Sequence, residues 1–476
     1  MRILLGIVPI ILLLISTTYH CFEVGLQPDD EGYVALRVAE NVRTGQGLIF
    51  NPHERRDLID SPVWVAGLSM LSLSLQAPVL VQILGILIAV IIVLTLLRVA
   101  RSPLLGVGAG LFLALDGAFT EGVTAGGSAV VGALFLVLLV PILHMPRGRD
   151  RWTEADRFLA LWALLACCIR YEYLIVSLPV ALGAGLREPR RLGAWLPLVA
   201  ATAGAVLILS IRWGYFEAWP AYWQPWPPTR QSLFVGATQL GAILVRRPLL
   251  LLALGILLSD WIAGRLWMGR RSGLAWGLTG LLLFALAPAG GNDIDRQVIA
   301  VLPLGYLLAV EAVWRNARTR PALVAALLLL VAQPGWTDRQ RQVDPEADAT
   351  FARIGQWLQV QALPETVVGA ERVGALGYFS RMRMEDVAGR VSPRVATARR
   401  LLGEDQPESL DFQPMLHQEP DLVLVLPGNP VPSSKIYVPN DDAIPLAIRG
   451  PYRVYRWAGS PVWRQAASVD AGDSLP

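Results

Sequence analysis

Apolar runs succeed one another along most of the chain, and each is closed by arginines, acids or a Gly/Pro turn. A helix needs roughly 20 apolar residues to cross a hydrocarbon core about 30 Å thick. Runs of that order occupy Ile3–Thr18, Pro78–Leu97, Leu104–Phe119, Gly126–Leu143, Phe158–Cys168, Tyr173–Gly185, Leu192–Ile211, Pro248–Ala263, Leu274–Pro288, Gln297–Val313 and Pro321–Ala332. They predict about 11 transmembrane helices. The first run lacks a small-residue cleavage site and is followed by more apolar sequence, so it reads as an uncleaved signal-anchor. Arginines recur at alternate connections: Arg98 and Arg101; Arg147, Arg149, Arg151 and Arg157; Arg187, Arg190 and Arg191; Arg265, Arg270 and Arg271; Arg315, Arg318 and Arg320. Positive residues favour the cytoplasmic side, which places these connections and the N-terminus inside and the C-terminal tail outside.

Three outward segments are long. Residues 19–61 are acid-rich, and Val34, Val38 and Val42 recur there at helical spacing, which suits a helix on the membrane surface; Ser61–Leu75 predicts a second interfacial helix. Residues 212–230 carry Trp213, Tyr215, Phe216, Trp219, Tyr222, Trp223 and Trp226. Such a cluster is either an interfacial aromatic belt or a platform for a sugar face or lipid chain. In residues 335–476 hydropathy falls, and β-like runs at Thr366–Val368 and Leu422–Leu426 alternate with Pro and Gly turns, ending in a disordered tail from about Ala466. The fold class is thus an α-helical polytopic membrane protein, with a membrane domain at 1–334 and a C-terminal extracytoplasmic α/β domain at 335–476.

Composition narrows the chemistry. With 476 residues, 54% hydrophobic and 17% charged, the chain is no soluble globule. Lys435 is the sole lysine among 41 basic residues, and the arginines form small spaced groups with no nucleic-acid stripe. Cys21, Cys167 and Cys168 fit neither a disulfide framework nor a zinc spacing. Gly106, Gly108 and Gly110 lie inside an apolar run, where small residues let helices approach. There is no phosphate loop, no Gly-x-Ser-x-Gly elbow and no His-Glu-x-x-His pair.

What remains is a set of charges at outward-facing ends: Asp29-Asp30-Glu31, Asp116, Glu121, Arg170 with Glu172, and Asp293, Asp295 and Arg296. Charge at such depth is expensive and often functional; a ring of solvated charges and structural ion pairs is the plain alternative. Three adjacent acids require a metal, a retained proton or solvation.

Several stretches resemble a known family. Pro28-Asp29-Asp30-Glu31-Gly32-Tyr33, Leu36-Arg37, Asn41, Gly45-x-Gly47-Leu48-x-Phe50-Asn51-Pro52 and Ser61-Pro62-x-Trp64 are similar to the first outer loop of bacterial GT-C glycosyltransferases. Within these the arabinofuranosyltransferase-like and protein-mannosyltransferase-like groups are the nearest. Arg170-Tyr171-Glu172, Gly290-Gly291-Asn292-Asp293 with Arg296, and Gly374-Ala375-Leu376-Gly377-Tyr378-Phe379-Ser380 match in order along the chain. The family's acid pair falls on Asp30-Glu31, one place after Asp29. Its Gly-Leu-Glu-Thr is replaced by Gly126-Gly127-Ser128-Ala129, which lacks the acid.

The resemblance implies an inverting glycosyltransferase of the plasma membrane, moving a sugar from a polyprenyl-phosphate donor to an envelope glycan or lipid acceptor. It implies Asp30 as general base with Glu31 or Asp29 as partner, and Arg296, then Arg170, at the donor phosphate. Glu172, Asp293, Tyr33 and Arg37 become supporting or acceptor-side residues. A divalent metal, Mg or Mn, on Asp29, Asp30 and Glu31 is compatible with oxygen ligands. A transporter or flippase of a lipid-linked sugar, a non-catalytic envelope scaffold, and a polymerase or ligase of lipid-linked glycans are the alternatives. A transporter is expected to show internal repeats and broken helices, and neither is visible in the sequence.

Overall fold

The computed structural model describes residues 2–24, 28–52, 54–55, 61–71, 77–146, 152–170, 173–216, 247, 249–250, 293–315, 345–370, 372–386, 420–425, 437–458 and 462–463. In chain order the main elements are α1 (Arg2–Val24), α2 (Asp30–Arg43), α3 (Pro62–Leu71), α4 (Ala77–Val99), α5 (Pro103–Ala114), α6 (Gly117–Thr124), α7 (Ala129–His144), α8 (Glu154–Ile169), α9 (Leu174–Arg187), α10 (Leu196–Phe216), α11 (Asp293–Arg315), α12 (Pro345–Gln361), β1 (Val367–Ala370), α13 (Gly374–Ser380), β2 (Arg383–Asp386), β3 (Leu422–Val425), β4 (Tyr437–Pro439) and β5 (Arg453–Trp457). They form two compact units: Met1–Pro28 with Ile59–Val343, and Asp29–Leu58 with Asp344–Pro476.

The first unit is helical. On α4, Val81, Ala89, Ile92 and Leu96 are buried while Ile83, Leu87, Ile91 and Leu94 are exposed, so apolar side chains cover the outward stripe as well as the core-facing one. That pattern belongs to a helix solvated by lipid. Among the described residues two helices are long and apolar enough to cross a membrane, Ala77–Val99 and Leu192–Phe216. Most of Pro248–Ala263, and all of Leu274–Pro288 and Pro321–Ala332, lie outside the described residues. Gly106 and Gly110 sit where a side chain would press on Leu97 and on Pro9 respectively, which accounts for the glycine cluster. Trp162 of α8 stacks on Phe135 of α7 with centroids 5.0 Å apart and donates its indole N–H to the Phe135 carbonyl at 2.9 Å.

Two expectations change here. The run Leu104–Phe119 is not one helix: α5 and α6 meet at 71°, because Asp116 stops α5 and caps α6, its Oδ1 accepting the Phe119 N–H at 3.1 Å. Helix breakage is therefore present where an unbroken run was expected. The helix at Tyr33–Val42 forms, but as part of α2 within the second unit. Val34 and Val38 are buried there, and Tyr33 packs on Tyr378 and Phe379, so the apolar face is covered by protein and not by lipid.

Among the described residues the second unit holds a five-stranded sheet in the order β2-β1-β3-β5-β4. β1 runs parallel to β2 and β3, while β5 is antiparallel to β3 and β4. β1, α13 and β2 make a crossover unit, with Val368 opposite Met384. An exposed edge at β2 would present unpaired backbone groups. The Asn51 side chain covers it: its Nδ2 donates to the Met384 carbonyl at 2.7 Å and its Oδ1 accepts the Met384 N–H at 2.9 Å. Glu54 adds an ion pair to Arg383.

Candidate functional site

Asp29 and Asp30 begin α2. Asp29 is its N-cap, with Oδ1 accepting the Gly32 N–H at 2.7 Å, and carboxylates are favoured where helix N–H groups lack partners. Asp30 occupies the first turn, and its Oδ1 accepts the Gly374 N–H at 2.8 Å. Both acids are buried, at 7% and 6% exposure, while Glu31 is half-buried. Gly374 opens α13 so close to Asp30 that a Cβ there would overlap the Asp30 carbonyl.

Two further charges join them. Asp348 of α12 accepts from Arg372 Nη1 at 2.6 Å through Oδ1, and its Oδ2 is buried with no hydrogen-bond partner. Burial first, and then the negative charge of Asp30, push the Asp348 carboxyl up to about 7 against the pull of Arg372; Asp29 raises it further. Arg372 is raised by Asp348 and Asp30 in spite of its own burial, the largest effect, which lowers it.

A raised acid binds its proton in the folded chain at pH values where the unfolded chain, near 3.9, has released it. Its contribution to stability is therefore complete below about pH 4 and is lost as pH rises through about 7. Asp348→Asn removes that slope. The thermal midpoint of the variant is expected to exceed wild type at pH 8 and to match it near pH 4; a difference independent of pH would contradict the raised carboxyl.

The other candidates distribute as follows. Tyr33 is buried against Tyr378 and Phe379, and burial, then the charge of Asp348, hold its hydroxyl protonated. Arg37 lies over the Phe50 ring at 4.3 Å and donates from Nη2 to the Met382 carbonyl at 2.6 Å. Burial lowers it to about 9, and Arg381 adds to that shift. Arg170 is buried at the C-terminal end of α8, about 24 Å along that 16-residue helix from the capping box at Thr153 and Asp156. Glu172 lies outside the described residues. Asp293 and Arg296 fall in the first turn of α11, with side chains beyond those described.

Among the described residues no three His, Cys, Asp or Glu side chains gather to hold a metal ion. Asp29 and Asp30 each turn Oδ1 to a backbone N–H, of Gly32 and of Gly374.

In the first unit Asp116 gathers a second buried constellation. Arg247 donates from Nε to its Oδ2 at 2.7 Å and from Nη2 to its Oδ1 at 3.2 Å, and the Tyr306 hydroxyl donates to Oδ2 at 2.6 Å. The guanidinium fork matches the carboxylate, and together with the Phe119 N–H these donors occupy both oxygens.

Sequence reasoning missed Asp348, Arg372, Gly374 as an Asp30 partner, Arg247 and Tyr306. Arg372 stands two residues before the Gly374-Ala375-Leu376-Gly377 stretch that the resemblance had marked, which was a usable signal. Asp348 is an acid in the first turn of a helix, where acids are common, and carried none.

Residues 336–468 match a domain of unknown function (DUF8728). No curated protein matches the chain. Among solved structures, the chain is similar to ArnT from Cupriavidus metallidurans in the apo state, with a TM-score of 0.52 and 14% identity, covering 95% of this chain and 97% of that one. The crystal structure of that protein bound to undecaprenyl phosphate gives 0.49 and 13% over the same shares. The first likeness supports a GT-C-like membrane fold.

Proposed function

We propose that the chain is an inverting glycosyltransferase of the bacterial plasma membrane. It moves a sugar, arabinofuranose or mannose-like, from a polyprenyl-phosphate donor to an envelope glycan or lipid on the outer face. Residues 1–334, with a cytoplasmic N-terminus, form the membrane part and residues 335–476 the extracytoplasmic part. The observation that carries the proposal is the buried acid pair at the start of α2, with Asp30 held in one orientation by the Gly374 N–H. A general base must be both ionisable and fixed within reach of the proton it takes. The GT-C-like fold adds support at the level of architecture, which alone does not specify an activity.

In the proposed step an acceptor hydroxyl oxygen attacks the anomeric carbon from the face opposite the lipid phosphate. The new C–O bond forms as the bond to the phosphate oxygen breaks, and that oxygen leaves with the electron pair. The hydroxyl proton passes to the Asp30 carboxylate, with Glu31 or Asp29 as its partner. Arg296 meets the charge on the departing phosphate, at a helix start where free N–H groups also favour anions. Arg170 is the second candidate for that role. Tyr33, Arg37, Glu172 and Asp293 support the site.

Arg296→Lys keeps a point charge and loses the guanidinium fork; Arg296→Ala loses both. Turnover is expected to fall in the order wild type, Lys, Ala, with Ala down by about 10²-fold, the scale of one preorganised donor. Near-normal turnover in Ala with reduced thermal stability would transfer the role to Arg170.

Lipid analysis separates the proposal from a flippase. After incubation with polyprenyl-phosphate sugars of several kinds, a transferase yields free polyprenyl phosphate and a glycoside of inverted configuration. A flippase leaves the sugar–phosphate bond intact, and that result would overturn the proposal.

A further inference from the structure

Between β1 and α13 the chain turns through Arg372 and Val373, and Val373 caps α13 with no side-chain hydrogen bond. Contacts from this turn reach α12 and α2. Arg372 reaches back to α12 and pairs with Asp348 at 2.6 Å, the two residues being buried at 8% and 2% exposure. Two residues on, the Gly374 N–H donates to Asp30 Oδ1 at 2.8 Å. Gly374 has no room for a Cβ against the Asp30 backbone, so a shift of the turn is transmitted to the start of α2. The charged and titratable groups acting on the pair are Asp29, Asp30, Tyr33 and Tyr452.

Stability alone gives little reason for this arrangement. A buried ion pair is often no more stabilising than well-packed apolar residues of similar volume, and here Asp348 Oδ2 is left buried without a partner beside two further acids. Fixed geometry is what such a pair supplies.

We propose that Arg372 and Asp348 are positioning residues for Asp30: their ion pair sets the turn whose Gly374 N–H orients the Asp30 carboxylate. This rests on Asp30 being the general base, and it gives the segment matching a domain of unknown function a working part in the transfer. Neither side chain is assigned a contact with substrate.

The test uses the full chain in detergent, with Arg372→Ala, Arg372→Lys, Asp30→Asn and the double variant Arg372→Ala/Asp30→Asn. Transfer kinetics from a polyprenyl-phosphate sugar are read beside amide hydrogen exchange across residues 373–380. Arg372→Ala is expected to lower kcat by about 10- to 100-fold, the scale of misplacing a catalytic group by an ångström or less. KM is expected to stay within about twofold, Lys to recover part of the loss, and the double variant to be no slower than Asp30→Asn alone, because residues acting as a unit are not additive. Exchange of the Gly374 amide is expected to speed up in Arg372→Ala. Unchanged kcat, or an additive loss in the double variant, would overturn the proposal, the second placing Arg372 on the substrate. If the wild-type chain shows no turnover, the transferase proposal falls; exchange then decides the positioning link by itself, and unchanged protection of Gly374 in both Arg372 variants overturns it.

Discussion

Asp30→Asn is expected to slow transfer by orders of magnitude while leaving the fold intact. The amide keeps an acceptor oxygen for the Gly374 N–H, the contact that measures 2.8 Å in the structure, while the proton-accepting charge is lost. General-base catalysis contributes about 10²- to 10⁴-fold, and turnover is expected to fall within that range. The check is transfer from a radiolabelled polyprenyl-phosphate sugar, alongside thermal unfolding of the same sample. The variant is also expected to ease the burden on Asp348, because the negative charge of Asp30 is the second cause of its raised carboxyl. Activity within about twofold of wild type would remove Asp30 from the mechanism.

Asp116→Ala is expected to have the largest effect on stability. The residue accepts from Arg247, Tyr306 and the Phe119 N–H, and all of its carboxylate is buried. Removing it strips the α6 cap and leaves the buried Arg247 guanidinium without this carboxylate; loss of one partner of a buried pair costs about 3–5 kcal/mol. Tyr306→Phe deletes a single hydrogen bond and is expected to cost about 1–2 kcal/mol. Unfolding in detergent is expected to rank Asp116→Ala well below Tyr306→Phe. Equal small shifts would mean that the constellation does not hold the α5–α6 bend.

Local pattern made some elements legible. Apolar runs located α1, α4, α7, α8, α9 and α10 within a few residues, because a lipid-facing helix must be apolar on its outer stripe as well as inside. Leu422–Leu426 reads as a strand and forms β3. The break at Asp116 was hidden because one acid in an apolar run looks like a terminal charge until its cap and its partners, 131 and 190 residues away, are known. The covering of α2 was hidden for the same reason: Val34, Val38 and Tyr33 present an amphipathic face, and periodicity does not say whether lipid or protein meets it. The acid motif marked Asp29 and Asp30 as site candidates on an outer loop but did not show their burial, because Gly374 lies 344 residues along the chain from Asp30 and only the Gly374-Ala375-Leu376-Gly377 stretch is a local sign of it.

The most direct measurement is release of polyprenyl phosphate from a polyprenyl-phosphate sugar by the purified chain, with and without a hydroxyl acceptor, in wild type and Asp30→Asn. The expected result is acceptor-dependent release in step with glycoside formation in wild type, and its loss in Asp30→Asn. Transport of the intact donor across a vesicle membrane with no release, or release unchanged in Asp30→Asn, would contradict the account.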